Sequence, residues 1–454
     1  MIKSRASTAR ATVVLVALLA PVLSAQQVVA LTHGRVVDGN GGAPIVDGVV
    51  IVRGERIVAV GTAATVSVPR DARTIDVAGK TVMPGLVDSH VHLVGGWDGS
   101  TVDMLGFQRY LNALLFAGVT RVLDTGNMLF YIQQLRQEIA DHRLTGPSIH
   151  MLGPLLDGAY PVWPEISYAI SSTSQMARYV SRLKRAGVDG IKAYVGLSET
   201  QLGELVNAAA AESLRVFVDA GQRNGTEAVA RTGIAAFAHI GTIPVTDGLI
   251  ALMRERHIAT ISTLAVRESL SERRLADLSF LREPLLAQTM PPQFVTELAR
   301  FATRPRTAAG RARADRALAG LHTAMANVKR LVDAGVLVAA GTDAAYPGDF
   351  FGEGLHRELE LLVEAGLTPL QAITLATRNA ATLLQQDKDW GTLEPGKRAD
   401  LLVITGDPTR RIGETRNIEL VMQGGQILDR AALRFDAAKD PGFRVTAPVD
   451  PPAP

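Results

Sequence analysis

The sequence predicts an α/β protein: a (β/α)8 TIM barrel with a small β-sandwich domain built from both chain ends. Three observations lead there. From Met83 to about Leu375 short apolar runs alternate with amphipathic stretches, the pattern of parallel βα units. Eight such runs can be counted, the number that closes a barrel. Glycine-broken, β-branched runs flank this stretch on both sides, separated by its whole length.

The opening residues are read as an address. Lys3, Arg5 and Arg10 precede the apolar run TVVLVALLA, then Pro21 and the small residues Ser24 and Ala25. The run is far shorter than the ~20 residues that span a bilayer. Residues 1–25 are therefore expected to be a signal peptide, and the mature protein to be periplasmic or secreted, with no membrane association after cleavage. Residues 26–82 form the first part of the sandwich, through GRVVDG, GVVIVRGERIVAVG and TIDVAGKTV. Residues 83–385 form the barrel, with strands expected in VMPGLVDSHVHL, VTRVLDTG, PSIHMLG, VDGIKAYV, RVFVDAG, AAFAHIG, IATISTL and VLVAAGTD. Residues 386–436 return to the sandwich through GTLEPGKRADLLVITGDP and ELVMQGGQILDR, and 437–454 form a proline-rich, extended tail.

Composition bounds the partners. The chain has 454 residues, and 47 Lys/Arg face 45 Asp/Glu, so no overall field exists for holding a phosphate backbone and nucleic acid is not an expected partner. A homo-oligomer is compatible with this composition. Zero cysteines remove disulfides, thiolate metal sites and thiol nucleophiles, so a metal must sit on His, Asp, Glu or a modified Lys. Five arginines from Arg304 to Arg316 face only Asp315, a stretch that either attracts an anionic substrate or is a solvated surface.

His90 and His92 lie two apart at the end of an apolar run, so strand alternation turns both into the barrel mouth. That spacing suits two imidazoles on one ion, and it also arises as paired core residues. Later strand ends add Lys192 in GIKAY, His239 in FAHIG and Asp343 in GTDAA. Each has a plainer reading: Lys192 paired with Asp219, His239 as a core histidine, Asp343 as a helix N-cap. The other histidines are read as structural, with His150 the one that could approach the rim. Tyr160 and Trp163, in PLLDGAYPVWPEISYA, are candidates for a lid or pocket wall. Tyr194 should face the same way as Lys192 and is a candidate oxyanion donor.

With these residues in place, the chain resembles the amidohydrolase superfamily, metal-dependent barrel hydrolases. MPGLVDSHVHL, GTDAA and the run from GLTPLQAITLATRNAA to GTLEPGKRADLLV carry the resemblance, which spans about residues 28 to 430. GIKAY resembles the subtype in which a carboxylated lysine bridges two metals, a subtype that includes secreted Xaa-Pro dipeptidases. The resemblance implies that His90, His92 and Asp343 hold one divalent ion and that Lys192 and His239 help to hold a second. Zinc is the expected ion, one or two per chain, with manganese the alternative. It also implies a substrate, a small peptide or N-acyl amino acid, whose amide bond is attacked by a metal-bound hydroxide while Asp343 passes the proton to the leaving amine. A cyclic-amide or ester hydrolase on the same fold is the alternative.

One position departs from the subtype. Its strand-five histidine falls twenty residues before the strand-six histidine, and that place holds Asp219. An aspartate still ligates zinc but adds a charge. With a Lys192 carbamate, Asp219, Asp343 and a bridging hydroxide, the shell would carry roughly four negative charges, one more than usual. That favours harder ions such as Mn²⁺. It also keeps open a rival from another class, a catalytically silent periplasmic binding protein.

Overall fold

A computed structural model describes residues 27–99, 101–219 and 227–440. The expected signal peptide and most of the expected tail lie outside the described residues. Among those described, no helix is long and apolar enough to cross a membrane.

Alternating apolar residues build the first strands: β1 (Val28–Val36), β2 (Ile45–Arg53), β3 (Arg56–Thr62), β4 (Arg73–Asp76) and β5 (Lys80–Pro84). Their side chains point to both faces, and both faces are buried. Val29, Leu31, Val50 and Val52 join one cluster, while Val28, Ala30, Val49 and Ile51 join another.

A parallel set follows. β6 (Leu86–Val91), β7 (Val119–Asp124) and β8 (Ser148–Met151) form one sheet. β9 (Leu155–Asp157), β10 (Ser167–Ala169), β11 (Ile191–Ala193), β12 (Val216–Val218), β13 (Ala236–Phe237), β14 (Ala259–Ile261) and β15 (Val338–Ala339) form a second, in the order β10-β9-β11-β12-β13-β14-β15. Every pairing within both is parallel. All eight runs expected as strands are strands. β9 and β10 are additions, within the stretch read from sequence as a lid or pocket wall.

The edges of the two parallel sheets touch. Ser89 N–H donates to Ala340 O at 3.0 Å, and Val91 and Ala344 form a parallel bridge. On the other side, Asp189 N–H donates to Met151 O at 2.8 Å. The helices between strands begin at recognisable caps: Ser172 with Gln175, Ser198 with Gln201, and Thr368 with Gln371 each form a capping box.

The chain then returns through β16 (Leu401–Thr405), β17 (Ile418–Gln423) and β18 (Gln426–Ile427) to the opening strands. β16 pairs β5 antiparallel, so both chain ends share one eight-stranded sheet in the order β18-β17-β16-β5-β1-β2-β3, with β4 on β1. The strands expected as a sandwich are thus hydrogen-bonded along one path. The charged insertion is helical: the helix Pro292–Thr303 contributes Leu298 to a cluster with Phe280, Leu286 and Phe350, and the helix Ala308–Asp333 packs Leu321, Ala324, Val328 and Leu331 into the main core. Arg304 and Arg306 both pair with Glu272 at 2.7 Å, so both cations are tied to an acid of the chain itself.

Arg121 of β7 clasps the α/β part to the shared sheet. Its Nε and Nη2 donate to Asp400 Oδ2 at 3.0 and 2.7 Å, and its guanidinium lies 4.7 Å from the ring centre of Trp390. Asp400 Oδ1 accepts from Gly424 N–H at 2.7 Å, and both members of the pair are buried. Removing one member strands a buried charge. Asp400→Ala is expected to lower the unfolding free energy by about 3–5 kcal/mol in urea melts, and Arg121→Met with Asp400→Leu by much less. A loss below about 1 kcal/mol for Asp400→Ala would show that the clasp is solvated rather than buried.

Candidate active site

The six residues singled out by spacing lie at successive strand ends. His90 is within β6 and His92 follows it; Lys192 is within β11; Asp219, His239 and Asp343 follow β12, β13 and β15. Parallel strands carry their C-terminal ends to one side, which is why residues so far apart in sequence meet. One ligating atom from each of His90, His239 and Asp343 lies within 4.8 Å of the others. His92 Nε2 is 3.2 Å from Asp343 Oδ1, and His239 Nε2 is 3.2 Å from Asp219 Oδ2. Lys192 lines the same cavity as His92, Asp219, His239 and Asp343. The structure therefore brings all six together.

Each imidazole is held by Nδ1 and presents Nε2. His90 Nδ1 bonds Ala238 O at 2.8 Å, and His92 Nδ1 bonds Gly126 O at 2.8 Å. A carbonyl oxygen only accepts, so both rings carry a proton on Nδ1. Burial would lower the His92 pKa, but the Asp343 carboxylate 3.2 Å from its Nε2 outweighs burial and raises it. His239 Nδ1 is 2.9 Å from Thr263 Oγ1. Burial, reinforced by the Lys192 charge, pushes the His90 pKa well below the usual value and keeps the ring neutral, the form that binds metal. Burial would raise the Asp343 carboxyl, but the His92 hydrogen bond and the nearby His239 and Lys192 charges outweigh it and lower its pKa. Among the six site residues, two polar atoms are buried with no hydrogen-bond partner, His90 Nε2 and Lys192 Nζ. Orphaned atoms of that kind, aimed at one point beside a carboxylate, fit a divalent ion.

One of the plainer readings is set aside by geometry, and the Lys192–Asp219 pairing takes the form of a charge attraction without a hydrogen bond. Asp343 is not an N-cap, since the next helix, Glu353–Glu364, begins after Gly352. His150 stays away from the rim: its Nδ1 is 3.4 Å from Asp189 and its ring packs near Trp390. His356 is structural, bonded to Thr415 Oγ1 and Ala117 O at 2.9 Å, with burial pushing its pKa down to about 3.

Several supporting acids escaped the sequence reading. Asp88 accepts from Thr342 Oγ1 at 2.7 Å and from Thr342 N–H at 3.0 Å, and burial pushes its pKa up to about 7. Asp124 accepts from Leu93 N–H at 2.9 Å and Asn127 Nδ2 at 2.8 Å. Glu358 accepts from Ser262 Oγ and from Ala265 N–H at 2.7 Å, flanking the Thr263 that holds His239. Burial pushes Glu358 up to about 8. Asp157 accepts from Val162 N–H at 2.9 Å and Gly196 N–H at 2.7 Å, fixing the segment that carries Trp163. In each case the signal is an acid in an apolar run, and only the fold shows which backbone N–H groups it serves.

The site opens into a cavity of about 470 Å³, whose wall includes Trp163, Tyr194 and Tyr346. Trp163 Nε1 donates to Tyr194 Oη at 3.0 Å. Tyr160, expected beside Trp163, is 95% exposed and takes no part in the wall. A second cavity, about 250 Å³, shares Tyr194, Asp219, His239, Asp343 and Tyr346 with the first. A larger hollow of about 740 Å³ lies on the shared sheet between His33 and Glu414 and contains none of the six site residues.

Comparison with known proteins agrees with this architecture. A family model described as the amidohydrolase family matches residues 81–428. An imidazolonepropionase from Alkaliphilus metalliredigens (strain QYMF) is 24% identical over 391 residues, covering 79% of this chain and 84% of its own. A solved Xaa-Pro dipeptidase with methionine bound in its active site superposes with a TM-score of 0.72 at 20% identity, covering 88% of this chain and 100% of the other. The ochratoxinase of A. niger superposes at 0.69 with 21% identity, covering 88% and 95%. The chain belongs to the amidohydrolase family and is a metal-dependent hydrolase of C–N bonds.

Proposed function

We propose that the protein hydrolyses an amide bond in a small peptide or N-acyl amino acid, using divalent metal held by His90, His92, Lys192, Asp219, His239 and Asp343. One observation carries the proposal. Three imidazoles anchored through Nδ1 turn Nε2 toward Asp343, beside a buried Lys192 amine that has no hydrogen-bond partner. Eight of the ten parallel strands, all but β9 and β10, are read as one closed (β/α)8 barrel, supported by the Ser89–Ala340 and Asp189–Met151 bonds across its two seams.

His90, His92 and Asp343 would hold one ion, with Lys192 and His239 helping to hold a second and Asp219 in the place of a further donor. Bound there, a divalent ion supplies Lewis-acid polarisation of a carbonyl and acidification of water. Burial lowers the Lys192 pKa, which raises the share of neutral amine able to add carbon dioxide; the product is a carbamate and one released proton. Asp343, kept ionised in a buried setting, accepts the proton of the attacking water and returns it to the amide nitrogen as the C–N bond breaks. Tyr194 Oη accepts from Trp163, and burial pushes its pKa up, so the phenol keeps its own proton and can donate it to the substrate oxygen as charge develops there. A second reading, hydrolysis of a cyclic C–N bond, is favoured by the relatives named imidazolonepropionase.

Dialysis against chelator is expected to abolish hydrolysis of N-acyl amino acids, and Zn²⁺ or Mn²⁺ to restore it. His90→Ala with His92→Ala should lose bound metal by elemental analysis, and unchanged metal content with unchanged turnover would refute the site. Asp219→Ala should cost about one metal equivalent per chain, since each site has few donors. Asp219→His removes one negative charge, so the acid limb of the pH–rate profile should move to lower pH and zinc should be favoured over manganese. Wild type without turnover on any amide, joined by gain of turnover in Asp219→His, would instead identify a silent protein. Tyr194→Phe should lower kcat about 100-fold at constant metal content; an unchanged kcat would remove Tyr194 from the chemistry.

A further inference from the structure

The second cavity carries a cation that the proposed reaction does not use. Arg267 lies on the short helix Leu264–Leu270, immediately after β14, and lines the cavity of about 250 Å³. Its Nε is buried without a hydrogen-bond partner, and among the described residues no ion pair reaches the guanidinium. The nearby acids on its own segment are already taken. Glu268 is held by Arg273 and Arg357, and Glu272 by Arg304 and Arg306.

The surroundings make this unusual. Phe237, Ile240, Leu249, Met253, Val266 and Leu331 supply apolar walls. Asn327, the amide in the lining, is spent on the chain itself: its Nδ2 donates to Gly241 O and Ile243 O at 2.8 Å, and its Oδ1 accepts from Val245 N–H at 2.9 Å. Beyond the site residues Asp219, His239 and Asp343, the chamber is walled largely by apolar side chains around a part-buried guanidinium with no ion pair among the described residues, and so favours a guest that pairs with the cation and fills the remainder with hydrocarbon. The chamber also adjoins the scissile position, since Asp219, His239 and Asp343 line both cavities. In a dipeptide or N-acyl amino acid, the carbon attached to the scissile nitrogen bears both a carboxylate and a side chain. A single residue on the amine side of the bond therefore presents both features that the chamber matches.

We propose that Arg267 binds the substrate carboxylate, and that the preferred amides carry a free carboxylate and an apolar side chain on the amine side of the scissile bond. This rests on the hydrolytic reading above and narrows its substrate class. Arg267 acts by binding; it takes no part in proton transfer.

The test uses the metal-loaded protein and a non-hydrolysable pair, N-methylsulfonyl-L-phenylalanine and its carboxamide, titrated calorimetrically. The acid is expected to bind about tenfold to a hundredfold more tightly than the carboxamide, the range of a charge-assisted hydrogen bond. Arg267→Met should erase that difference, while Arg267→Lys should retain part of it. With N-acetyl-L-phenylalanine as substrate, Arg267→Met should raise KM by a similar factor and change kcat by less than about threefold. The comparison within the wild type needs no variant, so misfolding of Arg267→Met leaves it intact. Equal affinity for acid and carboxamide, or no binding of either, overturns the carboxylate site even if amides are hydrolysed. Preferential binding of the acid that depends on Arg267, with no amide turned over, upholds the site and overturns the reaction instead.

Discussion

Thr342 donates from its backbone N–H and its hydroxyl to the two oxygens of Asp88, and His90 N–H donates to the same carboxylate at 3.2 Å. Asp343 N–H then donates to His90 O at 2.7 Å. These bonds tie the end of β6 to the turn after β15, the first and last strands of the parallel set, and every distance in the site depends on that join. The approach is so close that a Cβ on Gly341 would stand 2.8 Å from His90 N and 2.9 Å from His90 Cβ. Glycine is therefore required beside the site because two backbones occupy the space of a side chain. Asp343 itself has φ of 70°, a left-handed conformation that costs energy for a residue with a side chain and is held by the surrounding bonds.

From that join outward, the molecule spends polar groups on orienting polar groups. Ala238 O, Gly126 O and Thr263 Oγ1 each hold one imidazole, and Glu358 holds the two residues that bracket Thr263. Rings fixed at Nδ1 cannot turn away from a shared ligand, so little rotamer entropy remains to be lost when one binds. The same economy leaves Lys192 Nζ, His90 Nε2 and Arg267 Nε without partners. His90 Nε2 and Lys192 Nζ belong to the site and Arg267 to the lining of the adjoining chamber, so three polar atoms stand ready there for a substrate and its ions.

Much of this is legible in the sequence. Alternation in VMPGLVDSHVHL placed His90 and His92 on one face, and the eight apolar runs gave strands in the expected places, because buried parallel strands read as continuous hydrophobic segments. Counting twenty residues back from His239 located Asp219, which lies 3.2 Å from it. What stayed hidden depends on long-range geometry. Asp88, Asp157 and Glu358 serve N–H or O–H donors whose positions only the fold determines. β9 and β10 sit in a stretch rich in proline and aromatics, where no two-residue period marks a strand, and Tyr160 turns to solvent while its neighbour Trp163 turns in. Charge counting within the stretch Arg304–Arg316 also leaves out Glu272, some thirty residues earlier, which pairs with Arg304 and Arg306.

The central claim is that these six side chains hold divalent metal for the hydrolysis of a C–N bond. Crystals of protein purified without chelator, measured for anomalous scattering above and below the zinc absorption edge, test it most directly. The account predicts an edge-dependent peak between His90, His239 and Asp343, and density beyond Lys192 Nζ for a carbamate. A site without anomalous signal, in which Lys192 ends as a free amine paired with Asp219, would contradict it.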